Sequence, residues 1–172
     1  MNHEQSHNVH SMHNMHNTGK KHYQKLAIMV ILSFFSMYIL MYSMIDQLSN
    51  FVPNVNQFYM AGLMTMPMII IEVMLMQSMY MNKKLNAGII TASIVLLVWF
   101  FLAIWEQAAV SDRQFLRGMI PHHAAAILMS KKAPSQDPET QKLQQDVITS
   151  QEREIAQMKE KLERMKKGPG GN

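Results

Sequence analysis

Apolar and polar positions are sharply segregated along this chain. Residues 1–25 are polar, residues 26–105 hold three long apolar runs, and residues 106–172 are polar again. The first run, Leu26–Ile45, has no charge in 20 residues, which as a helix covers about 30 Å, the thickness of a hydrocarbon core. The second, Phe58–Met81, includes Pro67 and Glu72. The third, Ala87–Trp105, is uncharged and carries Trp99 and Trp105 towards its end, where amphipathic rings favour a membrane interface. Lysines 20, 21 and 25 give the first run the look of a signal peptide. It is too long for one, lacks a small-residue cleavage site, and is followed by further spans. The pattern predicts three membrane helices over 26–45, 58–81 and 87–105.

Residues 106–172 read differently. Ser111 or Asp112 is placed to cap a helix over about 111–132, stopped by Ala133-Pro134. Asp137 is placed to cap a second helix over 138–167, with Pro138 at its first position and Lys166-Lys167-Gly168 at its end. Val147, Gln151, Ile155, Met158, Leu162 and Met165 recur at helical spacing along it. A hairpin of this size buries little core alone, so dimerisation into a four-helix bundle is expected. The fold class expected is all-α: three transmembrane helices followed by a helical hairpin.

Charge bias sets an orientation. Lys20, Lys21 and Lys25 precede the first span, and Lys83 and Lys84 lie between the second and third, whereas Asp46–Gln57 has neither lysine nor arginine. The N-terminus is therefore expected in the cytoplasm, with the C-terminal hairpin on the periplasmic or extracytoplasmic side of an inner membrane. Arg113 and Arg117, soon after the third span, run against that bias.

Composition narrows the chemistry. Of 172 residues, 19 are methionine and none is cysteine, which excludes a disulfide scaffold, a thiolate zinc site and a cysteine nucleophile. It also fits an oxidising compartment. The net charge of +4 comes without a basic patch interleaved with aromatics, so nucleic acid is not an expected partner. The polar face of the second hairpin helix, with Glu152, Arg153, Lys159, Glu160, Glu163 and Lys166, is explained by solvation and i,i+3 or i,i+4 pairing.

Donor side chains concentrate at three places. The densest is Phe115-Leu116-Arg117-Gly118-Met119-Ile120-Pro121-His122-His123, followed by Met129. On a helix, Phe115, Met119, His122, Ala126 and Met129 form one stripe. Pro121 is expected to kink the helix ahead of the two histidines. Thioether and imidazole donors suit Cu(I) or Ag(I) far better than Mg or Ca. A core methionine stripe with a histidine pair at a helix boundary is the competing reading. In residues 1–25, His10, Met12, His13, Met15 and His16 alternate at short spacing within a segment too polar to bury itself. The expected flexible tail is suited to Cu(I), Cu(II), Zn(II) or Ni(II). In the second span, Met60, Met64, Met68, Glu72 and Met76 follow one slowly drifting face. A charge there is costly in hydrocarbon and should face other helices or a wet cavity. Met64, Met68 and Glu72 are thus a candidate intramembrane site, with plain packing as the alternative.

Residues 112–129 (Asp112-Arg113-Gln114-Phe115-Leu116-Arg117-Gly118-Met119-Ile120-Pro121-His122-His123 and on to Met129) and 148–158 together resemble the signature of the domain of unknown function 305 family, over roughly residues 110–165. The resemblance implies a ferritin-like four-helix arrangement and periplasmic copper or silver binding. It makes Met119, His122, His123, Met129 and Met158 candidate ligands, and Asp112, Gln151 and Glu154 candidate ligands or partners of ligands. This chain carries one copy of the helical pair. A di-iron oxidase is excluded for want of Glu-x-x-His pairs in residues 106–172, and no acid–base pair or nucleophile marks an enzyme.

The expected protein is a bilayer-embedded, homodimeric Cu(I)- or Ag(I)-binding protein that sequesters metal or passes it to an efflux pump or metal chaperone. The rival readings are a transport component working through the second span, and a dimerising structural protein without metal.

Overall fold

A computed structural model describes residues 3–167 of the chain, and the side chains of residues 21–167. All regular structure among them is helical: α1 (His3–Leu40), α2 (Val55–Leu75), α3 (Lys83–Trp105), α4 (Asp112–Lys132) and α5 (Pro138–Lys167), with single 3₁₀ turns at Met41–Met44 and Leu48–Asn50. Lys21–Met44, Val55–Leu75 and Lys83–Trp105 are long and apolar enough to cross a membrane. In the polar segment expected as a flexible tail, the backbone is helical from His3. No proline interrupts residues 1–52, and extending a formed helix is far easier than nucleating one.

Helix starts and stops follow local chemistry. Asn54 caps α2, its Oδ1 accepting from the Gln57 amide at 3.0 Å, so α2 starts ahead of the apolar run that begins at Phe58. It also stops earlier, at Leu75, and Met76–Met79 form turns. Asn82 caps α3 by accepting from the Leu85 amide at 3.1 Å. Ser111 stands at the start of α4 without a side-chain capping bond. Pro121 sits buried inside α4, which continues through it.

The chain forms two compact units. The first takes in α1 as far as Met37, together with Ala61–Leu102. In it the Thr65 hydroxyl donates to the Ala61 carbonyl at 2.7 Å and lies 3.7 Å from Met37 Sδ. Gly62 lies so close to the buried Phe100 ring that a Cβ there would overlap it, the small-residue contact that lets membrane helices approach. Tyr23 donates to Asn86 Oδ1 at 2.6 Å, and Asn86 donates to the Tyr80 carbonyl at 2.7 Å. Outward-facing Ile28, Leu32, Phe35, Val95 and Trp99 give these helices an apolar exterior, as lipid requires.

The second unit takes in Tyr38–Met60 and the chain from Ala103. Its core is the seam between α4 and α5, where Leu116, Ile120, Ala124 and Ile127 meet Ile155, Met158 and Leu162. Their spacings of three and four residues put each set on one helix face. Ile45 and Val52, in the loop between the first two spans, pack against this core. Lys159 pins the same loop by donating to Asn50 Oδ1 at 2.6 Å, and Asn50 donates to Asp46 Oδ1 at 2.6 Å. The link from α3 to α4 is tied down too, with the Tyr59 hydroxyl donating to the Ala108 carbonyl at 3.0 Å. It holds Gln107 and Ala109 at φ 50° and 56°, a left-handed conformation that costs an L residue about 1–2 kcal/mol.

The hairpin turn has a clear cause. Pro134 disfavours helical backbone at the residue before it, and Ala133 is extended, with φ −69° and ψ 121°. Asp137 then starts α5, its Oδ2 accepting from the Thr140 hydroxyl at 2.6 Å and the Thr140 amide at 2.8 Å. These bonds, the hydroxyl's first, hold the Asp137 carboxyl below the ordinary aspartate range. A lowered folded-state value means that the cap stabilises above the unfolded carboxyl range and is lost as pH falls through the folded value. Asp137→Ala is therefore expected to lower the thermal midpoint at neutral pH. The gap between the two chains should close in melts recorded below about pH 4.

Candidate metal centre

The sequence stripe through Phe115, Met119, His122, Ala126 and Met129 is not the buried face of α4. The buried face runs through Leu116, Ile120, His123, Ala124 and Ile127, while Phe115 and Met129 are 53% and 51% exposed. The reason is physical. Donor residues defined the expected stripe, whereas aliphatic side chains one position further round the helix gain most from leaving water. This rotation separates the two histidines. His122 is exposed, and His123 is buried, at 8% exposure.

Both nitrogens of His123 are engaged. Nδ1 lies 2.9 Å from the Met119 carbonyl oxygen, one turn earlier. A carbonyl only accepts, so Nδ1 carries the hydrogen and donates it. Nε2 lies 2.7 Å from Glu154 Oε2 on α5, with one proton between them. Fixing the Nδ1 hydrogen on a backbone carbonyl sets ring orientation and makes Nε2 the nitrogen that could coordinate a metal once its bond to Glu154 is given up, an arrangement typical of metal-binding imidazoles.

His123 and Glu154 line a pocket of about 350 Å³ together with Phe115, Met119, Met158 and Lys161, among others. Met119 packs at the edge of the core, and Met158 belongs to it. Of the sequence candidates, then, the fold gathers Met119, His123, Met158 and Glu154. It leaves His122 and Met129 outside. Gln151 is half-buried, but neither it nor the exposed Asp112 lines the pocket. Gln157 and Lys161, which do, follow from the register between α4 and α5 and carry no sequence signal of their own. Two thioethers, an imidazole and a carboxylate make a mixed donor set, soft, borderline and hard respectively. Among the described residues no three or more His, Cys, Asp or Glu side chains converge, so any metal held here depends on methionine sulfur.

The other expected sites fare differently. The side chains of His10, Met12, His13, Met15 and His16 lie outside the described residues. In the second span, Met60, Met64 and Met76 are exposed, whereas Met68 and Glu72 are half-buried. Glu72 Oε1 accepts from the Tyr80 hydroxyl at 3.4 Å.

A family model described as Domain of unknown function (DUF305) matches residues 1–162. The chain belongs to the DUF305 family. The match begins well before residue 110, so the DUF305 similarity takes in the three apolar helices as well as the hairpin. An uncharacterized protein of Acanthamoeba polyphaga mimivirus is 36% identical over 144 residues, covering 82% of this chain and 93% of the viral protein. No solved structure matches.

The two adjacent histidines should behave unlike each other when truncated. His123→Ala removes a buried ring and two hydrogen bonds and is expected to cost about 2–4 kcal/mol. His122→Ala should stay within about 0.5 kcal/mol of the parent. Denaturant melts of the purified full chain distinguish them, and equal losses would contradict the assignment of His123 to the core.

Proposed function

We propose that this chain is a membrane-anchored protein that holds Cu(I) or Ag(I) reversibly between α4 and α5, sequestering it or passing it on in the cell envelope. The observation that carries the reading is His123. Its Nδ1 is tied to a backbone carbonyl, its Nε2 meets Glu154, and its ring lines a pocket that Met119 and Met158 also line. Met119, Met158 and His123 are the proposed ligands. Glu154 takes the Nε2 proton when metal arrives, or joins the ligands. The hairpin lies outside the cytoplasm, following the lysines that flank the first span and separate the second and third.

Dimerisation belongs to the same reading. Phe115, Met129, Leu143 and Met165 are exposed on the hairpin. A second copy covering them completes a four-helix bundle, with His122 available at its edge. The tail residues His10 to His16 form a separate, less selective site. A metal efflux pump or chaperone is the class of partner expected to take the ion.

The test is an anaerobic Cu(I) competition titration against a chromophoric chelator. It uses the full chain in detergent, with His10, His13 and His16 replaced by Gln so that the tail does not compete. His123→Ala, or Met119→Leu with Met158→Leu, should weaken binding at least tenfold, and His122→Ala much less. Binding in the parent should also weaken as pH falls, because a proton and the metal compete for Nε2. Binding that is unchanged in both the His123 and the methionine variants refutes the reading.

A further inference from the structure

A second cavity lies across the seam from the histidine pocket. It has a volume of about 530 Å³, and the charged groups around it are Arg113, Arg117, Lys159, Lys166 and Glu163. Val52, Ile120 and Leu162 form its apolar lining. Only one of the four cations is neutralised by an acid: Lys166 Nζ is 2.6 Å from Glu163 Oε1. The Lys159 ammonium is held by neutral groups, Asn50 Oδ1 at 2.6 Å and Ser49 Oγ at 3.4 Å. Arg113 and the half-buried Arg117 have no hydrogen-bond or ion-pair partner among the described residues. Three uncompensated cations around one cavity repel each other, and a guanidinium partly removed from water without a partner is unfavourable. A bound anion removes both costs.

Chain connectivity fixes where this cavity opens. Ser49 and Val52 belong to the loop between Met44, the end of the first span, and Val55, the start of the second. Ten residues tied at both ends to membrane helices stay at the membrane surface. Arg113 and Arg117 lie in the first turns of α4, soon after the third span ends at Trp105. The cations thus stand at the depth of lipid headgroups, and the apolar lining suits the glycerol and first acyl carbons of a lipid better than a bare ion.

We propose that this cavity binds the phosphodiester headgroup of an anionic phospholipid, with Arg113, Arg117 and Lys159 as its cationic contacts. Guanidinium forks match two phosphate oxygens at once, and basic pockets beside membrane helices are a recognised way of holding anionic headgroups. Arg113 and Arg117, which run against the charge bias of the chain, then serve ligand binding and not topology.

The test compares thermal midpoints of the full chain in neutral detergent micelles doped with phosphatidylglycerol or phosphatidylcholine, and in undoped micelles with inorganic phosphate. Three chains are measured: the parent, Arg113→Gln/Arg117→Gln, and Lys132→Gln/Lys142→Gln, which removes equal charge elsewhere on the hairpin. Phosphatidylglycerol should raise the midpoint of the parent and of the lysine variant above the phosphatidylcholine value. The arginine variant should lose at least half of that shift. Its midpoint without lipid should equal or exceed that of the parent, since neither arginine has a partner to lose and the repulsion between the cations is relieved. The proposal is overturned by a full phosphatidylglycerol shift in the arginine variant, by an equal loss in the lysine variant, by no shift in the parent, or by an equal shift with inorganic phosphate. The last result would make the cavity a site for a soluble anion.

Discussion

The aliphatic seam between α4 and α5 is the interaction on which the hairpin depends. Ile120 is fully buried and Ile127 nearly so, and truncating either would leave a void worth a few kcal/mol. Their packing against Ile155, Met158 and Leu162 fixes the register of the two helices. Register, in turn, places Glu154 opposite His123 and puts Met158 on the wall of the same pocket. The donor atoms are thus positioned by residues with no coordinating chemistry. Ile45 and Val52, in the loop between the first two spans, close one end of this core.

The two cavities divide the hairpin's chemistry. Leu116 lines the one with thioether, imidazole and carboxylate donors, and Ile120, one turn on, lines the one rimmed by cations. Both are built on the same two helices, and both draw rigidity from the seam between them. Lys161 brings a positive charge to the pocket that Glu154 also lines. Across the seam, Glu163 is the one acid, and its carboxyl is held below the usual glutamate range chiefly by the Lys166 hydrogen bond. It therefore remains charged and occupied with its own partner.

Much of the architecture was legible in the residues. Uncharged runs of membrane length, the Ala133-Pro134 stop and the Asp137-Pro138 start are local signals, and local signals survive folding. The buried face of α4 was not legible to the same degree. Leu116, Ile120 and Ile127 compete with Phe115, Met119 and Met129 for the inside, and their periodicities differ by a single 100° step, which only the partner helix decides. The same step separates His122 from His123. Lys159 and Asn50 are far apart in sequence, and no periodicity in either segment reports their contact. The polar segment ahead of Leu26 read as unstructured because composition measures what a segment can bury alone, whereas a helix already formed beside it extends at little further cost.

The hydrogen bond that orients His123 ends on the main chain of residue 119, not on its side chain. Whatever side chain occupies position 119, the imidazole keeps its pose as long as the helix persists. Orientation and ligand supply, although both are drawn from one residue, are therefore mutationally separable. Under the proposed metal-binding reading, exchanging Met119 for another donor would alter metal preference without rebuilding the ring's support, and drift at this position would retune the site one atom at a time.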